Sequence, residues 1–413
     1  MTRIEKMLAY VVKHNEFYRN IAKEYGIADS TDIMQYPILT RQQLQENRYN
    51  MFSEGYKEKY YWNQLMRKSS SGSSGVPINV YWDYSDYYST MRVLWHKRLQ
   101  YYGVHPYDKK VMFALNGFEE NDNKSKIKYI NDPKNILNIN MSSVYKNKHY
   151  SELIDLINDF NPVWLYIRPF VLQKLLYFYK EYNKPIPSAL KYIESHGEIL
   201  LRDLQKEAIN FFNVPVANMY GSEEANTIAY ECPYHNMHIL EKNLIVECYN
   251  ESGIHKSGTG EAIITTLTNK AMPLIRYNQG DEIIISNMIK PCLCGSNEPV
   301  ISIIKGRSLD SIRISKNIEL NSIIFLEIIG EVNNHYNSII TCYKFTYCKS
   351  TGILQCFIEI DEKYRKWYIN VKKAIETAFE KKIPCMDNII LKVYRMKSRI
   401  NYSKKHQILE VVD

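Results

Sequence analysis

Segments with helical periodicity and segments with strand periodicity alternate through the first half of the chain, and this alternation constrains the fold more than any other feature. Strands that alternate with helices favour a parallel sheet with helices packed on its faces. The strand patterns are "KKVMFAL", "VWLYI", a segment near 190 and "VPVANMY". The helical patterns cover 84–103, 150–160, 170–182 and 199–212. An amphipathic helix is also predicted over 4–24, and Thr40 with Gln43 predicts a capped helix start.

The pattern changes twice in the second half of the chain. Short strands separated by Gly, Asn and Pro over 237–304 indicate an added β region. After "IKGRSLDSI" (304–312) the patterns predict a helix, two strands, a second helix over 363–380 and a last strand, "NIILKVY". The predicted fold is therefore α/β. A large multi-layer amino-terminal domain (1–306) has parallel sheets and a β region, and a small α+β carboxy-terminal domain (307–413) follows.

Composition excludes several classes of protein. Hydrophobic residues make up 45% of the chain and charged residues 24%, as in an ordinary globular protein. The apolar runs are too short to cross a bilayer, and the amino terminus mixes charges into an amphipathic pattern instead of forming a signal peptide. The net charge of +8 is spread along the chain. We therefore expect a cytoplasmic protein with no membrane and no nucleic-acid partner.

A run of five serines and two glycines covers 69–75 and is followed by Val76 and Pro77. Gly/Ser-rich segments are often flexible linkers. They also form phosphate-binding loops, in which backbone N–H groups and hydroxyls surround an anion. The run by itself leaves both interpretations open.

Further motifs resolve this choice, because they follow in the order found in the adenylate-forming superfamily. The run resembles that family's phosphate loop, although no lysine follows Pro77 where many members have one. The motifs that follow it are "SHGEIL" (195–200), "NMYGSEEA" (218–225), "GTGEAIITTL" with "MPLIRYNQGD" (258–281) and "GRSLDSI" (306–312). Four other segments resemble the branch that contains phenylacetate–CoA ligase and the CapK-like proteins: "HNEFYR", "YPILTRQQL", "YECPYHNMHI" and "PCLCG".

The resemblance implies an enzyme that activates a carboxylic acid with ATP and Mg²⁺ to give an acyl-adenylate. It also implies the residues of the nucleotide site. Ser70, Ser71, Gly72, Ser73, Ser74 and Gly75 would hold the β- and γ-phosphates, and Glu224 would bind Mg²⁺. Tyr220, in the motif with Gly221 and Ser222, would stack on adenine beside Gly197 and Glu198. Asp281 would accept hydrogen bonds from the ribose, and Arg307 would contact ribose and phosphate. Taken singly, Asp281 also fits a turn and Glu224 an exposed helix start.

The resemblance further implies a mobile small domain that carries a catalytic lysine. In "NYSKKHQILEVVD" Lys404 fits that position best, and Lys405 is the alternative. The interpretation without catalysis is that both lysines belong to a solvated tail. Phe118 and His196 lie at positions expected near the acid pocket, which favours an aryl acid.

The acyl group is then expected to pass to a thiol. Lys316 stands where the family has a glycine after the hinge strand, which favours a phosphopantetheinyl carrier protein over coenzyme A. A siderophore or similar pathway, with dihydroxybenzoate as the acid, fits this choice. The alternatives are an aryl-CoA ligase and, in another class, a non-catalytic zinc-containing binding protein.

Three cysteines and one histidine, grouped in two pairs along the sequence, indicate a structural zinc site. Cys232 with His238, and Cys292 with Cys294, form two half-sites that together supply three thiolates and an imidazole, a set that suits tetrahedral Zn²⁺. His235 is a competing ligand. The structural alternative is a group of buried thiols beside a surface histidine.

Overall fold

A computed structural model of the chain describes residues 1–27, 29–69, 78–114, 127, 129–133, 135–140, 150–305, 311–315, 318–336, 339–360, 362–383, 389–396 and 409–412. The α-helices are α1 (Arg3–His14), α2 (Glu16–Glu24), α3 (Arg41–Glu46), α4 (Tyr56–Tyr61), α5 (Tyr84–Tyr102), α6 (Tyr150–Phe160), α7 (Pro169–Glu181), α8 (Arg202–Phe212), α9 (Ser322–His335) and α10 (Tyr368–Lys382).

The strands of the first half are β1 (Met66–Ser69), β2 (Asn79–Trp82), β3 (Lys110–Ala114), β4 (Tyr129–Asp132), β5 (Ile136–Asn140), β6 (Trp164–Ile167) and β7 (Tyr192–His196). The second half begins with β8 (Val216–Ser222), β9 (Asn226–Glu231), β10 (Met237–Ile239), β11 (Leu244–Asn250), β12 (Gly253–His255), β13 (Gly258–Thr266), β14 (Tyr277–Ser286) and β15 (Val300–Lys305). It ends with β16 (Ser311–Ser315), β17 (Ile318–Asn321), β18 (Ile340–Cys348), β19 (Ile353–Ile360), β20 (Ile390–Arg395) and β21 (Leu409–Val412).

The chain divides into two compact units, of which the first comprises Met1–His105 and Ala217–Ile304. Its strands lie in the order β12-β11-β13-β14-β15-β10-β9-β8, and the pairs β8/β9, β9/β10 and β13/β14 are antiparallel. This is the β region that the Gly- and Asn-rich pattern predicts. Apolar side chains of alternate strand positions, such as Ile228, Ile264 and Ile283, form its core.

Helices α1 to α4 of the first unit share a second core with β1 and β2. The single helix predicted over 4–24 is wrong, because the structure divides it at Asn15. The Asn15 side chain is buried, accepts a hydrogen bond from the Tyr18 amide and donates one to the Met51 carbonyl. It therefore caps α2 and ends α1, a break that helical periodicity does not reveal. The capping box predicted at Thr40 and Gln43 is confirmed at the start of α3.

The second unit comprises Pro106–Val216 and Lys305–Asp413. In its first segment β7, β6, β3 and β5 pair in parallel in that order, and β4 joins β5 antiparallel at the edge. Apolar side chains of α6, α7 and α8 pack with these strands in one core. The parallel sheet predicted from alternating helices and strands is confirmed.

The second segment of this unit has a core of its own, which includes Phe325, Phe345 and Phe379. The strands β20-β19-β18-β21 form its sheet, and α9 and α10 contribute to the same core. The helix predicted over 363–380 begins as a 3₁₀ turn, Glu362–Trp367, and is α-helical only from Tyr368.

The α/β fold class is confirmed, while the domain boundary at 306/307 stays a prediction. Among the residues described here, no helix is both long and apolar enough to span a bilayer.

Candidate functional site

The hairpin between β8 and β9 carries the Tyr-Gly-Ser-Glu-Glu motif. A Cβ atom at Gly221 would lie 2.5 Å from the Asn226 carbonyl oxygen, so the two strands approach too closely there for any other residue. Asn226 has a left-handed backbone with φ of 62°. The Ser222 hydroxyl accepts a hydrogen bond from the Ala225 amide at 3.2 Å. These features close a tight turn and point Glu224 inward.

Glu224 is a buried carboxylate that its surroundings leave unsatisfied. Its side chain is 2% exposed. Among the described residues neither carboxylate oxygen has a hydrogen-bond partner, and the nearest recorded cation is the Arg41 guanidinium, 4.0 Å from Oε1. An unsatisfied buried carboxylate is costly unless a cation balances it, so this residue fits a ligand for a hard metal ion such as Mg²⁺. The exposed helix-start interpretation of Glu224 is wrong.

Tyr220 and Asp281 are brought together by strands β8 and β14. The Tyr220 hydroxyl donates to Asp281 Oδ2 at 2.7 Å, and the Gln279 amide donates to the same oxygen at 2.6 Å. Gly280, with φ of 82°, turns the backbone between Gln279 and Asp281. Asp281 is therefore held by two protein donors, and the Tyr220 ring is oriented through its hydroxyl. Gln279 is a member of this group that the sequence motif did not single out.

Three predicted site residues lie at the carboxyl end of β7 in the second unit, the edge at which α/β proteins bind ligands. The His196 ring stacks on Tyr166, with centroids 3.7 Å apart and an angle of 10° between the planes. Gly197 has φ of 75°, and a Cβ there would lie 3.8 Å from Arg168 Nε. This glycine allows the chain to turn sharply after the strand.

Glu198 has a structural role in addition to any ligand role. Its carboxylate lies 3.6 Å from Arg168 and accepts a hydrogen bond from the Phe170 amide at 3.3 Å. Helix α7 has no side-chain cap from its own N-cap residue, Arg168, so Glu198 supplies an acceptor and a negative charge at that helix start.

Cys232, His238, Cys292 and Cys294 converge in the first unit, and their ligand atoms all lie within 4.8 Å of one another. The Cys232 and Cys292 sulfurs are 3.9 Å apart, and Cys294 Sγ is 3.3 Å from His238 Nε2. A tetrahedral Zn²⁺ with bonds of about 2.0–2.3 Å separates its ligand atoms by distances of this order. The donor set and its geometry therefore both fit zinc.

Two similar turns present the three cysteines, while His238 lies in β10. The Cys232 amide donates to the Asn236 carbonyl at 2.9 Å and its carbonyl accepts from the His235 amide at 2.9 Å. The Cys292 amide bonds to Ser296 at 2.9 Å, and its carbonyl accepts from Gly295 at 2.7 Å, in the same pattern. In both turns the fourth residue has a left-handed backbone, with φ of 59° at His235 and 85° at Gly295.

The structure distinguishes the two candidate histidines. His238 Nδ1 lies 2.9 Å from the Glu298 carbonyl oxygen, which directs Nε2 toward the thiols, as outer contacts do for metal-binding histidines. His235 Nδ1 instead lies 3.0 Å from Glu231 Oε1, and His235 is not part of the cluster. His238 is thus the histidine of this site, and the surface-histidine alternative is wrong.

The protonation of the thiols differs across the cluster. Burial raises the pKa of Cys232 to about 12. At Cys292 burial acts in the same direction, but the Cys294 backbone and the side chains of His238 and Asn236 outweigh it and lower the pKa to about 6. Since zinc binds thiolates, metal binding would require the Cys232 thiol to lose its proton.

Several predicted site residues lie outside the described residues: the phosphate-loop residues Ser70, Ser71, Gly72, Ser73, Ser74 and Gly75, together with Phe118, Arg307, Lys404 and Lys405. Their roles stay predictions. Arg41 was not assigned a role from sequence, although it lies within "YPILTRQQL"; no local signal connects it to the distant Glu224.

Comparisons with known proteins extend this description. No family model matches the chain. The chain is 24% identical to CapK of Staphylococcus aureus over 292 residues, which are 69% of this chain and 62% of CapK. It is 29% identical to phenylacetate–coenzyme A ligase of Thermus thermophilus over 167 residues, 38% of this chain and 37% of the ligase. The chain thus spans less than two thirds of the length of both curated relatives.

Solved structures match over more of the chain. 2-Hydroxyisobutyryl-CoA ligase in its postadenylation state has a TM-score of 0.72 at 13% identity, over 99% of this chain and 88% of that chain. A benzoate CoA ligase from Burkholderia xenovorans LB400 has a TM-score of 0.53 at 12% identity, over 82% and 66%. The chain therefore has the fold of the adenylate-forming ligases, and its resemblance to that superfamily, with CapK and phenylacetate–CoA ligase as sequence relatives, is confirmed.

Proposed function

We propose that the protein activates a carboxylic acid with ATP. The substrate carboxylate oxygen bonds to the α-phosphorus, and the bond from that phosphorus to the oxygen bridging to the β-phosphate breaks. Pyrophosphate leaves with the electron pair, and an acyl-adenylate remains. The buried Glu224 carboxylate, without a hydrogen-bond partner among the described residues, is the observation that carries this proposal. The experiment that tests this activity is ATP–pyrophosphate exchange with a panel of aryl and alkyl acids.

The residues of the first unit have distinct tasks in this scheme. Glu224 would hold Mg²⁺, which neutralises charge on the phosphates. Asp281, fixed by Tyr220 and Gln279, presents its carboxylate as an acceptor for ribose hydroxyls. Tyr220 presents an aromatic face for adenine while its hydroxyl fixes the ring. Because these groups are already held in place, little reorganisation accompanies nucleotide binding.

The acid is proposed to be aromatic, with dihydroxybenzoate first among the acids to test. His196, at the end of β7, stacks on Tyr166 of the neighbouring strand β6, and this pair offers a flat aromatic surface for a ring. Benzoate and anthranilate are the acids named for two of the similar solved ligases. If exchange occurs only with alkyl acids, the aromatic assignment is wrong while the activity stands.

The acceptor is proposed to be a phosphopantetheine thiol, the group shared by coenzyme A and carrier proteins. Coenzyme A is named for the similar ligases, whereas Lys316 in the hinge region favours a carrier protein and a siderophore-type pathway. Thioester formation with coenzyme A alone, or with a phosphopantetheinylated carrier protein that has a free thiol alone, distinguishes the two. Absence of exchange with every acid would instead favour the non-catalytic binding protein.

Replacing Asp281 by alanine is expected to weaken ATP binding about tenfold or more, because a charge-assisted acceptor is removed. Tyr220→Phe is the matched variant, since it removes one donor to Asp281 and keeps the ring. We expect its effect on ATP binding to be several times smaller. Titration of both variants with ATP measures the difference; equal losses would show that Asp281 acts only by holding Tyr220.

We propose that Cys232, His238, Cys292 and Cys294 bind one structural Zn²⁺. The four ligands leave no open position, so the ion has no place for a substrate. The cysteines lie in two turns and His238 lies in β10, so the ion would link these segments through coordination bonds. The site thus stabilises the β region of the first unit and takes no part in acyl transfer.

Replacing His238 by alanine is expected to abolish stoichiometric zinc binding and to lower the melting temperature by about 5 °C or more. His235→Ala should retain about one zinc ion per chain, because His235 pairs with Glu231. Elemental analysis and thermal unfolding of both variants provide the measurement. If His235→Ala loses the metal and His238→Ala keeps it, the ligand assignment is wrong.

A further inference from the structure

The predicted phosphate loop supplies no positive charge for a triphosphate. ATP and pyrophosphate carry several negative charges, and enzymes that bind them supply lysine or arginine as well as metal ions. The Ser/Gly run offers only neutral groups, and Pro77 is followed by Ile78 instead of a lysine. A cation from another segment would therefore complete the site. Within the described part of the chain, the cation recorded beside the metal-binding candidate Glu224 is Arg41.

Arg41 is held at the first position of α3 by the local backbone. The capping box between Thr40 and Gln43 fixes the start of the helix, with the Thr40 amide donating to Gln43 Oε1 at 2.9 Å. Leu39, two residues before Arg41, pairs with Tyr277 at the start of β14: the Leu39 amide donates to the Arg276 carbonyl, and the Asn278 amide donates to the Leu39 carbonyl, both at 2.9 Å. Arg41 is thus attached to the strand that carries Asp281.

A buried ion pair supports this attachment. Arg276 and Glu247 are each 3% exposed and form two hydrogen bonds, at 3.1 Å and 2.9 Å. The remaining nitrogen of Arg276 donates to the Tyr36 carbonyl at 3.1 Å. The segment before α3 is therefore bound to the sheet at Tyr36 and Leu39. Because this segment is hydrogen-bonded at two residues, the backbone of Arg41 is held in place and the range of its side chain is limited.

The Arg41 side chain is 22% exposed, and its guanidinium lies 4.0 Å from Glu224 Oε1, a distance longer than a hydrogen bond. A phosphate oxygen bound to a metal ion on Glu224 would come within reach of this guanidinium. Arginine presents a rigid fork of N–H groups that matches phosphate geometry. We infer that Arg41 contacts the β- and γ-phosphates of ATP and stabilises pyrophosphate as it leaves. This inference rests on the proposed function.

Arg41→Ala is expected to weaken binding of MgATP and of magnesium pyrophosphate at least tenfold while AMP binding changes less than twofold. Arg41→Lys should fall between the alanine variant and the parent chain, because it keeps the charge and loses the fork. Arg48→Ala, an exposed arginine on the same segment, is the matched control and should resemble the parent chain. Calorimetric titration with each ligand gives these affinities without requiring turnover.

Three further outcomes test the role of Arg41. If Arg41 only neutralised Glu224, the Mg²⁺ concentration for half-maximal exchange would change and pyrophosphate affinity would not, and the inference would be wrong. It would also be wrong if Arg41→Ala behaved like Arg48→Ala in a chain that exchanges normally. If the parent chain bound neither ATP nor pyrophosphate, the proposed function would fail first and this inference with it.

Discussion

Replacing Glu224 by glutamine is expected to slow acyl-adenylate formation by about two to three orders of magnitude, the effect of removing one group that stabilises charge in a transition state. Glutamine keeps the shape of the side chain and removes its charge, so the hairpin between β8 and β9 should persist. The affinity for Mg²⁺ should fall with the rate. Exchange rates measured across a range of Mg²⁺ concentrations test both effects.

The same substitution should leave folding intact or improve it. Glu224 is buried and, among the described residues, its oxygens have no hydrogen-bond partner, so a neutral amide relieves an unfavourable buried charge. We expect the free energy of unfolding without Mg²⁺ to rise by about 1 kcal/mol. A loss of activity together with a gain in stability is typical of a residue retained for chemistry.

The exposed neighbour Glu223 provides the matched control for this experiment. Glu223→Gln removes the same charge one residue away and should change the exchange rate much less than Glu224→Gln does. If Glu223→Gln causes the larger loss, the metal-binding carboxylate has been assigned to the wrong residue of the pair. If both variants lose stability equally, the motif serves the hairpin and not the metal.

Local sequence patterns predicted much of the fold. Alternating helices and strands predicted the parallel strands of the second unit, because each pattern depends only on which residues face a core. The break at Asn15 could not be predicted in this way. Apolar residues continue at helical spacing through it, and the Asn15 side chain that caps α2 is held in place by a tertiary hydrogen bond to the distant Met51 carbonyl. Long-range bonds of this kind leave no local signal.

In the candidate site, too, some residues could be predicted from the sequence and others could not. Glu224 and Asp281 were identified by motif resemblance, and the four zinc-cluster residues by ligand type and spacing. The additional residues, Arg41 and Gln279, act through side chains that meet these residues only in the folded chain. Sequence spacing also could not choose between His235 and His238. That choice follows from their hydrogen-bond partners, Glu231 and the Glu298 carbonyl.

The three carboxylates of the predicted nucleotide site differ in how far the protein already satisfies them. Glu198 accepts the Phe170 amide and caps α7, and Asp281 accepts hydrogen bonds from Tyr220 and Gln279. Glu224 alone among these three has no recorded hydrogen bond. A metal ion gains most where the protein offers least compensation, which favours Glu224 as the Mg²⁺ ligand.

Replacing Lys404 by alanine is expected to slow adenylate formation by about two to four orders of magnitude and to leave thiol transfer nearly unchanged. The resemblance to the adenylate-forming superfamily implies a mobile small domain that would present this lysine to the carboxylate and α-phosphate during adenylation only. In the second half-reaction the acid is already activated, so this charge is no longer needed. Exchange kinetics measure the first step, and transfer from preformed acyl-adenylate to a thiol measures the second.

Lys405→Ala is the matched control, since it removes the same charge from the adjacent position. Shortly after these lysines, Leu409 is buried and β21 pairs in parallel with β18, so the chain is anchored on the carboxyl side of the pair. Neither substitution changes a residue of β21, so both variants should unfold at the temperature of the parent chain. A defect in adenylation confined to Lys405→Ala would move the catalytic role to that residue. Equal losses in both half-reactions for Lys404→Ala would contradict the separation of the two steps, because a charge needed only during phosphoryl transfer cannot affect a step in which no phosphoryl bond is made.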